Sequence, residues 1–392
     1  TRRWPGMTQL PPTVWLLALS QALAMTVVSL TLSASAWVGS KLTGPDWATL
    51  PLAAQYLATL LLLSPVAWAM TRLGRRPVLA AGALLGMLGL ALAALAIARQ
   101  QFAWFVAASG LVGAFNAVAQ YYRFVAADVA PPGQHGRAIA ATLTGGVLAA
   151  WLGPALASHT RLLGPQPFTV SFVLLAALAG LAALCALAMR IPPGALPASG
   201  ARRPWRTHAR NPRLWLAVLA ASSGYGLMNL LMTATPLAMR CAQFDFAAAA
   251  TVIQWHIVAM FAPSLLSGRL VQRLGAPGVM LGGAVLMLAS VGISLRGETF
   301  GHFQWALALL GVGWNGVYVG ASSLLTECCW PAEKAWIQAG NDSMVFLGVT
   351  LMTAAAAPAV NAWGWMTLNQ LALAPLLLLA GACGWLYWRP PA

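Results

Sequence analysis

Apolar residues run along this chain in stretches of about twenty, the length of helix that crosses the hydrocarbon of a bilayer. Short polar or Pro/Gly-rich connections break the pattern into twelve such stretches: 13–36, 47–70, 77–98, 101–127, 137–158, 167–189, 214–238, 247–268, 278–296, 302–327, 335–359 and 364–388. The expected fold class is therefore an all-α integral membrane protein with twelve transmembrane helices. Residues 1–12 carry no small-residue cleavage site, so the first stretch is expected to be a retained span and not a signal peptide.

Composition sharpens this reading. Of 392 residues, 60% are hydrophobic and 7% charged, against about 25% charged in an average soluble domain, which excludes a water-soluble protein. The formal charge of +15 comes from 22 Lys and Arg, spread too thinly for the dense basic face that nucleic acid requires. Their distribution instead reports topology, because Lys and Arg accumulate on the cytoplasmic side. With the N-terminus inside, that side holds sixteen: Arg2, Arg3, Arg72, Arg75, Arg76, Arg137, Arg190, Arg202, Arg203, Arg206, Arg210, Arg213, Arg269, Arg273, Lys334 and Arg389. The opposite face holds five, namely Lys41, Arg99, Arg161, Arg240 and Arg296, and Arg123 lies within span 4. Both termini are therefore expected in the cytoplasm. The long connection 190–213 separates an N-terminal half, 1–189, from a C-terminal half, 214–392.

The halves also repeat in sequence. Arg72-Leu73-Gly74 with Pro77 recurs as Arg273-Leu274-Gly275 with Pro277, and Phe115-Asn116, Asp128 and Pro132 recur as Trp314-Asn315, Glu327 and Pro331. Matches in the same order at an offset near 200 indicate duplication. Two parallel six-helix repeats place a substrate site near the midplane between them.

Over its full length the chain resembles a major facilitator superfamily transporter. The best local mark is Thr71-Arg72-Leu73-Gly74-Arg75-Arg76-Pro77 between spans 2 and 3. In that family the loop usually reads Asp-Arg-x-Gly-Arg-Arg and helps lock the halves in the outward-facing state. The resemblance implies a conformational-switch role for Arg72, Gly74, Arg75 and Arg76. Thr71 replaces the usual Asp and Ala67 a usual Gly, and topological anchoring explains the arginines equally well.

Within the spans, polar groups are costly and mark function. Asp128, Glu327 and Asp342 fall at cytoplasmic span ends, which argues against a carboxylate-driven antiporter and against hard cations that need oxygen ligands. Span 7 carries Met228-Asn229-Leu230-Leu231-Met232 and span 8 carries His256-Ile257-Val258-Ala259-Met260. Residues four apart share a helix face, so each span presents two soft ligands, with Met228 and His256 near the midplane. Thioether selects Cu(I), and imidazole accepts copper. Met also fills apolar gaps, and a lone span histidine also serves as a hydrogen-bonded packing residue.

These paired motifs resemble the CcoA-type bacterial copper importers of the same superfamily. The resemblance implies metal-ligand roles for Met228, Met232, His256 and Met260, and copper as cargo with no prosthetic group. It further implies a place in the bacterial inner membrane and supply of copper to cytochrome c oxidase, notably the cbb3 type, through a chaperone or assembly factor. A monomer is expected. Relatives without these motifs include riboflavin transporters, so an organic solute such as a flavin or drug is the alternative cargo, with 18 Trp available to stack a planar ring or to anchor span ends. A membrane-embedded metal sensor is a third reading. Enzymatic chemistry has no supporting group of residues.

Accessory metal candidates are Met239 and Cys241 beyond span 7, and Cys185 and Cys383 near the inner ends of spans 6 and 12. The alternative for each is ordinary packing or a loop thiol. Gly153-Pro154 resembles part of a drug-antiporter motif and is read as a bend. Arg123 is expected to pair with Asp128, to meet an anionic group, or equally to be a structural charge near the inner interface.

Overall fold

The computed structural model describes residues 10–131, 134–191, 205–330 and 333–388. Arg2, Arg3, Pro132, Arg202, Arg203, Pro331 and Arg389, used above to read topology and repeats, lie outside the described residues. The described chain forms α1 (Pro12–Thr43), α2 (Leu50–Leu73), α3 (Arg75–Ala98), α4 (Phe102–Ala119), α5 (Tyr122–Val129), α6 (His135–Thr160) and α7 (Thr169–Ala188). A second set follows: α8 (Trp205–Ala209), α9 (Pro212–Cys241), α10 (Phe246–Phe261), α11 (Ser264–Ser294), α12 (Phe300–Glu327) and α13 (Lys334–Trp388).

Ten of these described helices are long and apolar enough to cross a membrane. Two of the ten turn back at a glycine, α11 at Gly275 (φ 71°) and α13 at Gly364 (φ 77°). The turn at Gly364 makes two crossings of α13. The turn at Gly275 joins α10 and the start of α11 into one crossing and leaves the rest of α11 as another, which brings the crossings to the expected twelve. Gly74, between α2 and α3, has φ 88°, so the repeated Arg-Leu-Gly ends in the same left-handed turn in both sets. A β-carbon is strained there, which explains why glycine closes both motifs.

Helix ends follow local chemistry. Pro12 and Pro212 open α1 and α9 at the position where a missing N–H costs nothing. Asn211 caps α9, its side-chain oxygen accepting from the N–H groups of Arg213 and Leu214 at 3.1 and 3.3 Å. Asp245 caps α10 by accepting from the N–H of Ala248 at 2.9 Å.

Three differences from the sequence reading stand out. Span 4 breaks at Gln120–Tyr121, where Tyr121 donates its hydroxyl to the Leu63 carbonyl at 2.9 Å. Span 8 breaks at Ala262–Pro263, since proline supplies no N–H to carry the ladder through. The connection 190–213 also contains α8, whose buried His208 sits 3.5 Å from the buried carboxylate of Glu333 at the entry to α13.

Two apolar cores result. One gathers Leu17, Leu79, Phe105 and Phe172 from α1, α3, α4 and the α6–α7 side of the bundle, and it takes in Phe246 and Ala250 from α10. The other gathers Leu231, Ile253, Leu310 and Val349 from α9 to α13 and takes in Leu52 and Tyr56 from α2. Large apolar side chains such as Leu378 and Trp388 face outward, as lipid contact requires.

Several cross-set contacts lie at the end of the bundle away from the arginine-rich 71–77 loop. Arg240 hydrogen-bonds to Ser40 and lies over the Trp37 ring. Phe246 meets Trp37 and Phe168 edge-on at centroid distances of 5.5 and 4.9 Å, and Arg161 lies over its ring. Asn361 donates to Asp46 at 3.3 Å. These contacts tie the two sets together at this end.

Small residues let helix backbones touch, as is usual where lipid gives no hydrophobic drive for association. A β-carbon on Gly311 of α12 would lie 2.7 Å from the His256 carbonyl oxygen and 3.1 Å from the Met260 nitrogen of α10. α10 therefore rests on α12 at backbone contact. Gly311→Ala is expected to push the two apart, costing about 1–3 kcal/mol of stability and displacing Met260; thermal unfolding of the purified protein together with transport at matched membrane abundance checks this.

Candidate functional site

A cavity of about 60 Å³ lies between the two sets of helices. Its walls follow the sequence repeat. From α1 come Met25, Val28, Ser29 and Leu32, and from α9 come Tyr225, Met228, Asn229 and Met232, each the α1 position plus 200. α10 adds Ile257, Met260 and Phe261, while Tyr56, Asn116, Gln120 and Phe346 complete the lining.

Three of the four residues singled out on spans 7 and 8 therefore meet at one cavity: Met228, Met232 and Met260. His256 is not in the lining. It sits on the flank of α10 against α12, fully buried, with Nδ1 2.7 Å from the Leu307 carbonyl oxygen. A carbonyl only accepts, so Nδ1 carries the proton and donates. Nε2 is then a bare lone pair, buried and without a partner. Orientation of an imidazole through its second nitrogen is the usual arrangement behind a histidine ligand.

Asn315 fixes the neighbouring turn. Its amide nitrogen donates to the Met260 carbonyl at 2.8 Å and to the Ser264 hydroxyl at 2.6 Å, and its amide oxygen accepts from Ser267 at 2.6 Å. These bonds satisfy groups freed where α10 stops at Pro263, and they hold Met260 against the cavity. Its repeat partner Asn116 faces the cavity instead, with Oδ1 buried and unpartnered; Asn229 Oδ1 is in the same position, while its amide nitrogen bonds to Thr353. Gly153 serves close packing, since a β-carbon there would collide with Ser29 Oγ.

The accessory candidates are not brought to this cavity. Met239, Cys185 and Cys383 are buried in the helix-packing cores, where sulfur acts as an apolar filler. Cys241 is an exposed thiol at the end of α9. Among the described residues no group of three or more His, Cys, Asp or Glu could hold a metal ion.

In the 71–77 loop, Arg75 pairs with Asp128 at 2.5 Å, Arg72 lies over the Trp68 ring, and Arg76 is exposed. Thr71, at the usual Asp position, turns its hydroxyl to the Trp68 carbonyl at 2.7 Å. The repeat equivalent of Asp128, Glu327, takes Arg213 at 3.4 Å. Arg123 does not pair with Asp128. It lines a second pocket of about 40 Å³ with Tyr318 and Asp342 of the other set, and its charge acts on both. Gln120 and Phe346 line both pockets, so the two are adjacent along the path toward the arginine-rich end.

A substrate space between two repeat-related sets of six crossings is the architecture of one large transporter family, and the family model described as Major Facilitator Superfamily matches residues 14–335. The chain belongs to the major facilitator superfamily. It is a membrane transporter and not an enzyme. It is 36% identical over 377 residues, with 93% of this chain and 94% of the relative covered, to the riboflavin transporter RfnT of Brucella anthropi. It is 28% identical over 295 residues to the uncharacterized MFS-type transporter YdeG of Bacillus subtilis, covering 70% of this chain and 68% of that one. The crystal structure of the nucleoside transporter NupG matches with TM-score 0.71 at 14% identity over 97% of this chain and all of that one, which shows the fold. None of these proteins is named for a metal.

Sequence reasoning missed two features of this transporter's interior. Met25 belongs to no Met-x-x-x-Met pair, and Asp342 is set by its position at a span end although its side chain faces Arg123 across the two sets. If these charges support one another, Arg123→Gln and Asp342→Asn are each expected to lower transport severalfold, and the double variant to lose less than the sum of the two; a double-mutant cycle on transport rate measures the coupling.

Proposed function

We propose that the chain imports copper, with Met228, Met232 and Met260 as ligands and His256 as an oriented imidazole behind them. The observation that carries this is the convergence of three thioethers on one small cavity. About 60 Å³ has room for an ion with a few waters, since a water needs roughly 10–15 Å³ of such space. Drug-sized ligands use pockets of about 300–1,000 Å³. Neutral thioethers hold a soft ion without a strong charge trap, so it can be released when the two halves, 1–189 and 214–392, rock about the site. On this reading the protein lies in the bacterial inner membrane with both termini cytoplasmic, and the copper supports assembly of cytochrome c oxidase of the cbb3 type.

A second reading is a flavin-like organic solute, and the comparisons favour it: the relative covering 94% of its own length is named for riboflavin. Two details of the cavity support it. The unpartnered amide oxygens of Asn116 and Asn229 could accept from ring N–H groups. Tyr225 lies edge-on to Trp314, which stacks on Tyr318 at 5.2 Å, an aromatic wall on which a planar ring can pack.

One uptake experiment separates the two. In cells lacking other importers, radioactive copper uptake is expected to fall at least ~10-fold in Met228→Ala, Met232→Ala, Met260→Ala and His256→Ala at matched membrane abundance, the scale of losing a metal-site residue. Labelled riboflavin uptake that saturates in the intact protein, with copper uptake absent or indifferent to these changes, would sink the copper reading and establish the second.

A further inference from the structure

We propose that Met25 supplies a fourth thioether from the opposite wall, so that the cargo is taken as Cu(I) and bridges the two sets of helices. This rests on the copper reading above. Met25 lies on α1, while Met228 and Met232 lie on α9 and Met260 on α10, yet all four line the same cavity. α1 and α9 are repeat partners that face each other across it through equivalent positions, 25 with 225, 28 with 228, 29 with 229 and 32 with 232. A side chain on α1 therefore reaches the ion from the side that Met228, Met232 and Met260 leave open.

Position alone does not make Met25 a ligand; its neighbours narrow the choice. Val28 and Leu32, which also come from α1, bear no donor atom, and Ser29 hydrogen-bonds the Thr26 carbonyl at 3.3 Å. From behind, α6 backs Met25: a β-carbon on Gly146 would lie 3.2 Å from Met25 Cγ. Glycine at 146 leaves Met25 its place, and the side chain is half-buried beside the cavity. The other three methionines are buried. Met25 is thus the soft donor that the N-terminal set presents to the cavity.

Four neutral thioethers are a donor set for Cu(I); Cu(II) prefers nitrogen and oxygen in a tetragonal arrangement. An ion held by α9 and α10 alone would bind without reporting to the N-terminal helices. Shared with Met25, it pulls the two sets together, so that occupancy and closure are coupled through one bond.

The test uses the purified full chain in detergent. Cu(I), kept reduced with ascorbate, is titrated against the chromophoric chelator bicinchoninate, and sulfur coordination is counted by X-ray absorption. Met25→Leu preserves volume and shape, and its thermal unfolding is expected to match the intact protein. Its Cu(I) affinity is expected to drop ~10-fold or more, with the sulfur count falling from four to three. Unchanged affinity and sulfur count in Met25→Leu, while Met228→Leu loses binding, would overturn the role of Met25 and leave the copper reading standing. An intact protein that takes no Cu(I) from the chelator would overturn both.

Discussion

Hydrocarbon offers no hydrogen-bond partner, and this constraint organises the molecule. Every backbone polar group must be satisfied within its own helix or by a neighbour, so each place where a helix stops inside the bundle needs a local remedy. α10 stops at Pro263, and the freed Met260 carbonyl is taken by Asn315, which also binds Ser264 and Ser267. α4 stops before Tyr121, and its hydroxyl reaches the Leu63 carbonyl of α2. Both breaks adjoin the cavity. The price of irregular backbone there is a pair of fixed anchors, and those anchors are what hold cavity side chains in place.

The same constraint ranks the polar atoms that have no partner. A buried donor or acceptor without a bond costs about 1–3 kcal/mol, so orphans that survive beside a cavity are candidates for contact with cargo. Asn116 Oδ1 and Asn229 Oδ1 are such atoms, and His256 Nε2 is a third orphan that lies behind the lining, on the flank of α10 toward α12. The histidine is the most constrained of the three, since the Leu307 carbonyl dictates its tautomer and the backbone contact at Gly311 dictates where its helix lies. The donors form a graded set, with thioethers on the cavity wall, amide oxygens beside them and an imidazole lone pair behind.

Much of this was legible in the sequence because membrane spans obey a length rule that needs no tertiary information. The repeat was legible too, and Gly74 and Gly275 adopt the same turn that their shared motif implies. Helix breaks were not. Pro65, Pro154, Pro236, Pro358 and Pro375 all sit inside continuous helices, whereas Pro263 ends one, so proline identity does not tell which helix stops; the available acceptor and donor groups nearby do. The Met/His stripe was half legible. Residues four apart on a helix are about 40° from eclipsed; on α9 both Met228 and Met232 still line the cavity, whereas on α10 Met260 lines it and His256 sits on the flank toward α12. Met25 carries no local signal at all and emerges only when α1 is laid on α9. The buried His208 and Glu333 contact was equally invisible, since it depends on where a short helix in the long connection comes to rest.

Electrostatics along the path bears on the choice of cargo. Next to the methionine-lined cavity, toward the arginine-rich end, lies the pocket of Arg123, Tyr318 and Asp342. Two like unit charges ~10 Å apart repel by about 1.7 kcal/mol at an effective dielectric of 20, enough to cut occupancy roughly 17-fold. The Arg123 charge acts on Asp342 in the same pocket, and an ionised carboxylate there would offset that field. With Asp342 turned away or neutral, the same pocket becomes a guanidinium trap suited to an anionic or electron-rich solute. Arg123 and Asp342 come from opposite sets of helices and line one pocket, so the field in that pocket depends on how the two sets sit against each other.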